Sequence, residues 1–415
     1  MKNNEHNVIP FIQRILNDAE VEWKPLDNVA ELKRGSSITK RTSIEGKYPV
    51  ISGGQQPAYY IDTFNRDGET ITVAGSGAYA GFVMYWNEPI FVSDAFSIKA
   101  DETQILPRYI YHFLLNIQEK IHDLKTGGGV PHVYAKDVAR FLIPIPCPNN
   151  STKSLEIQRK IVDILDKFTT LETELETELV CRKRQYEYYR NRLLSFDMLN
   201  RGGQKLNNVV WKKIGEVFEL RNGYTPSKAN TNFWTNGTIP WFRMEDIRTN
   251  GSILNDSILH ITPQAIRGKG LFKSGSIIMA TTATIGKHAL LMTDSLANQQ
   301  FTNFRVSKSL SDALLPKFIY YYFFIVDEWC KQNVNVSSFP SVEIERLKKQ
   351  LFPIPPLSEQ ERIVSILDKF DSLTNSISEG LPKEIELRRK QYEYYRNELL
   401  SFSRIWTHEP CVPTL

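Results

Sequence analysis

Side chains able to read a nucleic acid cluster in glycine- and serine-rich stretches of the chain. In the first half these are Ser52, Gln55, Gln56, Ser76, Tyr79, Lys125 and His132; in the second, Thr225, Ser227, Lys228, Arg243, Thr282, Lys287, Gln299, Gln300, Ser337 and Ser338. Glutamine pairs bidentately with adenine, arginine and lysine with guanine, and hydroxyls with phosphate oxygens. Each residue taken singly also suits a solvated loop, and His132, beside Pro131, suits a structural role equally well.

No catalytic constellation accompanies them. The chain has no GxxxxGKS/T phosphate loop, GxSxG elbow or HExxH, and no NPPF or DPPY of the kind amino-methyltransferases use. Gly75-Ser76-Gly77 lacks the third glycine of a dinucleotide fingerprint and reads as a tight turn. Cys147, Cys181, Cys330 and Cys411 lie far apart, which argues against a disulfide framework or a zinc site and fits a reducing cytoplasm. The N-terminus MKNNEHNVIPFIQ has no targeting pattern, and the longest apolar run, Ile319 to Val326, is too short for a membrane span. With 51 basic and 47 acidic residues the net charge is +4, so a polyanion would have to be met by local patches.

The elements that position these loops come in two copies. RKRQYEYYRNRLLSF from Arg182 and RRKQYEYYRNELLSF from Arg388 agree at 12 of 15 positions, with an offset of 206. QRKIVDILDKF from Gln158 and QERIVSILDKF from Gln360 agree at 8 of 11, with an offset of 202. Upstream, EWKPLDNVAELKRG before Gly35 corresponds to VWKKIGEVFELRNG before Gly223, LPRYIYHFL from Leu106 to LPKFIYYYF from Leu315, and Pro144-Ile145-Pro146 to Pro353-Ile354-Pro355. The middles have diverged, sharing isolated points such as Phe96 and Phe301. A period of half the chain is a tandem duplication rather than a solenoid, and like halves tend to pack about a pseudo-twofold axis. The 415 residues thus divide into an N-terminal arm (1–20), a first domain (21–150), a central helical spacer (151–201), a second domain (205–356), a C-terminal helical spacer (357–402) and a tail (403–415).

Apolar residues at spacings of three and four make both repeated segments long amphipathic helices. Ser358 with Glu361 reads as a capping box, and Ser154 with Glu156 as a weaker one. Pro382 after Gly380 predicts a break in the second helix, while the first runs about 43 residues, or about 64 Å, from Ser154 to Phe196. Glu172 to Leu179 reads ETELETEL, and the two offsets differ by one such unit of four. Four residues add about 6 Å and about 40°, near the rotation of one base-pair step; simple preservation of helix phase is the plainer alternative. The tyrosines and arginines of QYEYYRN, namely Tyr186, Tyr189 and Arg190 with Tyr392, Tyr395 and Arg396, are candidates for a partner surface. The basic run Arg182 to Arg192 also suits a phosphate backbone. Short β-type runs at 48–52, 70–74, 81–86, 91–93 and 96–99, and at 239–242, 275–281 and 301–306, predict mixed domains with a β-rich body, packed by helices at 107–123 and 316–331.

The WKPL and PIP frames, the LDKF helices, the paired QYEYYRN stretches and the ETEL repeat resemble the specificity subunit of a type I restriction-modification system, in the branch with tandem tetrapeptide repeats. The likeness spans Trp23 to Phe402. It implies an α+β chain of two similar mixed α/β target recognition domains, separated by two long antiparallel helices that form a coiled-coil spacer. It also implies no catalysis or cofactor in this chain. Each domain would read half of a bipartite asymmetric site in double-stranded DNA, in the cytoplasm, with half-sites no more than about 19 base pairs apart at 3.4 Å each. The helices would hold two modification (methyltransferase) subunits carrying S-adenosylmethionine, and restriction (motor and nuclease) subunits would bring ATP and Mg. A non-DNA scaffold with two ligand-binding domains, and a self-contained methyltransferase with diverged motifs, are the alternatives.

Overall fold

The computed structural model describes residues 19–195, 198–199, 209–335, 340–376, 378–400 and 402. Ser337 and Ser338, most of the N-terminal arm and the whole C-terminal tail lie outside the described residues. The first copy runs through β1 (Val21–Pro25), β2 (Ala30–Arg34), β3 (Glu45–Ile51), β4 (Tyr60–Ile61), β5 (Thr70–Ala74), β6 (Val83–Trp86), β7 (Phe91–Val92), β8 (Ala95–Ala100), helix α1 (Pro107–Asn116) and β9 (Leu142–Pro146). Its two framing motifs are one structural unit, for β1 pairs antiparallel with β9 and sets Trp23 opposite Pro144. A two-stranded ribbon tolerates the prolines of β9, since no further neighbour needs their missing donors. β5, with its threonines, isoleucine and valine all buried, is central to a four-stranded sheet of order β2-β8-β5-β6. A smaller sheet, β4-β3-β7, flanks it.

Helix α2 (Ser151–Leu193) follows, and the second copy repeats the plan. It contains β10 (Val210–Lys213), β11 (Phe218–Asn222), β12 (Ile239–Phe242), β13 (Ile253–Leu254), β14 (His260–Ile261), β15 (Ile277–Ala280), β16 (His288–Leu291), β17 (Leu296–Ala297), β18 (Phe301–Val306), helix α3 (Pro316–Gln332), β19 (Val334–Asn335), β20 (Ser341–Val342) and β21 (Leu351–Ile354). β10 and β21 form the framing ribbon, with Trp211 opposite Pro353. The order β11-β18-β15-β16-β13 adds one strand to the first copy's main sheet, and β14-β12-β17 matches its smaller one, down to the same parallel pairing of its last strand. The ladders correct one expected correspondence. Arg34 and Asn222, each preceding the shared glycine, face Phe96 and Thr302, so Phe301 takes the place of Ala95 and not of Phe96.

The last elements among the described residues are α4 (Leu357–Asn375) and α5 (Gly380–Leu400), so the predicted break is present. Gly380 adopts φ +79°, and a Cβ there would lie 2.4 Å from the Ser372 carbonyl oxygen. Pro382 then sits in the first turn of α5, where its missing N–H costs nothing. The capping boxes are not formed. The α2 start is capped by Asn150, whose Oδ1 accepts from the Lys153 amide at 3.0 Å, and α4 starts after Pro356 with no side-chain cap. Ser154 lies inside the helix instead, where its hydroxyl accepts from Gln158.

Two compact units result: one extends to Thr177 and resumes at Lys383, the other is the continuous stretch Glu178–Pro382. Where the sequence sets the helices apart as spacers, the units divide each helix between them. In the first unit, the start of α2 and the end of α5 run antiparallel, with Phe168 stacked on Tyr395 at 5.1 Å and Arg389 paired with Glu172 and Glu176. Ile157, Ile161 and Leu165 of α2 and Tyr392, Leu399 and Leu400 of α5 join one core with Ile71, Ile98 and Tyr109. In the second unit, Tyr186 of α2, Leu194 just past its end, and Ile363 and Leu367 of α4 join Phe304, Phe323 and Phe352.

The same two residues fasten helix to domain in each copy. Gln158, fully buried, accepts from the Leu106 amide at 2.9 Å and donates to the Gln104 carbonyl. Gln360 does the same with Leu315 and Ala313. Two helical turns past, Asp166 accepts from Arg108 and His112, and Asp368 from Lys317 and Tyr321. His112 has a second ring nitrogen, and Nδ1 meets the Tyr392 hydroxyl at 2.9 Å. Burial pushes the Tyr392 phenol up to about 12, which keeps it a donor. Burial also lowers the His112 pKa, so the ring is neutral: Nε2–H donates to Asp166 and Nδ1 accepts. Tyr321, at the position equivalent to His112, has one hydroxyl and spends it on Asp368 at 2.6 Å. The buried hydroxyl of Tyr186, the counterpart of Tyr392, is left without a hydrogen bond.

Candidate nucleic-acid interface

In the first unit the sequence candidates converge at one end of the main sheet. The turn between β5 and β6 presents Ser76 and exposed Tyr79. Backbone bonds from Gly77 to Pro131 and from Val133 to Gly75 dock the His132 stretch against it, and Ser76 forms a β-bridge with His132. Lys125 donates to the Ala78 carbonyl at 3.4 Å. The Ser52–Gln56 loop joins from the smaller sheet, so close that a Cβ on Gly53 would lie 2.4 Å from the Ser76 carbonyl oxygen. Gln55 and Gln56 are exposed, and the His132 ring stacks on Tyr134. Ser76 is held by its hydroxyl to Asp94.

The second unit builds its cluster at the equivalent edge. Thr282 and Lys287 lie in the turn between β15 and β16, the counterpart of the Ser76 turn. Gln300 accepts the Thr281 amide through its carbonyl at 3.0 Å. The Thr225 hydroxyl donates to the Gln299 side chain at 2.5 Å, joining the end of β11 to the loop before β18. Gly223 permits that crossing, since a Cβ would lie 2.2 Å from the Asn298 carbonyl oxygen; Gly35 plays the same part against Ser93. Arg243 is brought near by the bond from the Asn298 amide to the Phe242 carbonyl, although its guanidinium is paired with Glu245. Ser227 and Lys228 are exposed on a separate loop pinned by Trp234, whose indole donates to the Ser227 carbonyl.

Sequence reasoning missed Arg221, Arg267 and Lys269, which line a cleft beside Thr225. Arg267 lies far along the chain, and the Tyr224 hydroxyl brings its turn in by accepting from the Arg267 amide at 2.8 Å while donating to the Ala265 carbonyl.

On the helices, Tyr186 and Tyr392 are buried in the chain's own units rather than offered to a partner. Tyr189 stacks on Phe370, the Arg190 guanidinium lies 4.1 Å from the Phe324 ring, and Arg396 donates to Asn116. Tyr188 and Tyr394, the middle tyrosines of the two repeats, are the more exposed, at 56% and 44%. Among the described residues no helix is long and apolar enough to cross a membrane, and no His/Cys/Asp/Glu group has the arrangement of a metal site.

Two copies of one domain, each offering amides, hydroxyls and cations from the same sheet edge, define a tandem recognition protein. The chain belongs to the family described as the type I restriction modification DNA specificity domain, whose model matches residues 19–180 and 207–387. It is 33% identical to the EcoR124I/EcoR124II specificity subunit of Escherichia coli over 95% of this chain and 97% of that one. It is 31% identical to a putative type I restriction enzyme specificity subunit of Haemophilus influenzae, over 97% and 100%. The fold is shared with the specificity subunit of M. genitalium at a TM-score of 0.56 and 17% identity, covering 92% of this chain and 97% of that one. The chain is thus a DNA specificity subunit of the type I class, the non-catalytic member of such a system.

Proposed function

We propose that each domain reads one half of a bipartite, asymmetric site in double-stranded DNA, and that the helices set the gap and hold two modification subunits. The observation that carries this reading is the recurrence of one polar loop cluster at the same sheet edge in both copies, with different side chains in each. One scaffold with two sets of reading groups gives two different half-sites. Exposed Tyr188 and Tyr394, repeated with their helices, are suited to two like partners. S-adenosylmethionine belongs to those partners, ATP and Mg to restriction subunits, and the assembly works in the cytoplasm. Reconstitution with modification subunits, followed by methylome mapping, tests this: two short motifs separated by a fixed gap are expected. Scattered methylation or one continuous motif would refute the two-reader arrangement.

A further inference from the structure

The cleft missed in the sequence has a volume of about 350 Å³ and is lined by Arg221, Asn222, Tyr224, Thr225 and the Arg267–Lys269 turn. Three cations border it and no carboxylate does. Among the described residues none of the three is in an ion pair, whereas nearby Lys273 is paired with Asp294 and Arg243 with Glu245. The Arg221 guanidinium lies over the Phe272 ring, 4.4 Å from its centre, and its Nη2, shielded from solvent, has no hydrogen-bond partner. Burial lowers the pKa of this group, a cost that an anion in the cleft would offset. Arg267 and Lys269 stand exposed on a turn anchored by the Tyr224 hydroxyl, with Gly268 and Gly270 at positive φ. In the first copy the corresponding strand end is bridged by the chain's own Arg66, which donates to the Arg34 carbonyl at 3.0 Å.

We infer that this cleft seats the phosphodiester backbone of the DNA at the second half-site, fixing the strand beside the Gln299–Gln300 loop. The inference rests on the DNA-reading function proposed above. An arginine held over an aromatic ring, with two exposed cations on the same cleft, matches a phosphate's oxygens and carries no base information. The Thr225–Gln299 hydrogen bond links the cleft to the candidate base readers, so a phosphate seated there sets their register on the duplex.

The test uses the full chain assembled with its modification subunits, and fluorescence anisotropy on a duplex with the recognised site and one without. For the double variant Arg267→Gln/Lys269→Gln, affinity is expected to drop by the same factor on both duplexes. The slope of log affinity against log salt should flatten by about 1.8, so the deficit shrinks about twelvefold between 50 and 200 mM salt. Lys273→Gln should leave the slope as it is. Wild-type affinity in the double variant, a loss confined to the cognate duplex, or an equal slope change in Lys273→Gln would overturn the inference. Duplex, but not ATP at matched phosphate concentration, should protect Lys269 from acylation; protection by ATP would make the cleft a nucleotide site and refute the assignment. A wild-type complex that binds neither duplex would instead refute the DNA-reading function itself.

Discussion

Identical heptapeptides, QYEYYRN at Gln185 and at Gln391, should respond oppositely to the same substitution. Tyr392→Phe removes the donor to His112 Nδ1, and His112 is fully buried. An acceptor left without a partner in such a place costs about 1–3 kcal/mol. For a unit of this size that corresponds to a melting shift of about 2–4 °C per kcal/mol. Tyr186→Phe removes a hydroxyl that already lacks a partner, so its change should lie between zero and about 1 kcal/mol of added stability. The predicted difference between the two variants is therefore about 1–4 kcal/mol. Urea unfolding of the full chain at pH 8, followed by hydrogen exchange in α1 and α3, assigns each change to its unit. Equal losses in the two variants, or a larger loss in Tyr186→Phe, would refute the two-nitrogen argument that links His112 to Tyr392.

The same cluster should make the first unit acid-sensitive. His112 stays neutral in the fold because burial lowers its pKa, while the unfolded chain takes up its proton near pH ~6.5, so stability is full above that value and declines as pH falls. Burial opposes the ionised Asp166, but bonds from His112 and Arg108 prevail and hold its pKa below the ordinary value, which adds a second loss below pH ~4. His112→Gln should flatten the profile between pH ~5 and ~6.5; an unchanged slope there would refute the assignment. Gly223→Ala should disturb recognition of the second half-site and leave the first intact, since its Cβ would meet the Asn298 carbonyl at 2.2 Å; methylome mapping with an unchanged second motif would count against the crossing. Deleting Glu172–Leu175 should change only the gap between half-sites. Arg389 keeps a glutamate partner, because Glu176 moves into the place of Glu172; altered half-sites would contradict this.

The duplication was legible because its frames are local and chemically specific: WKPL and PIP are the two strands of one ribbon, and a proline-bearing strand survives only beside a single neighbour. The helix break could be read from Gly380 and Pro382, since both act on the backbone alone. Side-chain fates were less legible. QYEYYRN looks like one surface, yet a helix turns its first tyrosine inward and its middle one outward, and only the packed domain shows which. The fastening aspartates were visible in LDKF twice over, but their partners lie more than 45 residues away. Candidate readers on turns came together because glycines on neighbouring strands hold those turns. The Arg221 cleft stayed hidden because a tyrosine hydroxyl, invisible to periodicity, draws the Arg267 turn to it.

The division of the two units along the chain reverses the order in which they can be completed during synthesis. Glu178–Pro382 is contiguous and has all its parts once Pro382 has been made. The first unit lacks Tyr392, Leu399, Leu400 and Phe402 until their codons are read, so Ile161 and Leu165 wait with part of their apolar partners unmade. A nascent chain therefore finishes its second reader before its first. A stop or frameshift between codons 383 and 402 would strike the N-terminal reader's core and spare the second, and would be read out as loss of the first half-site.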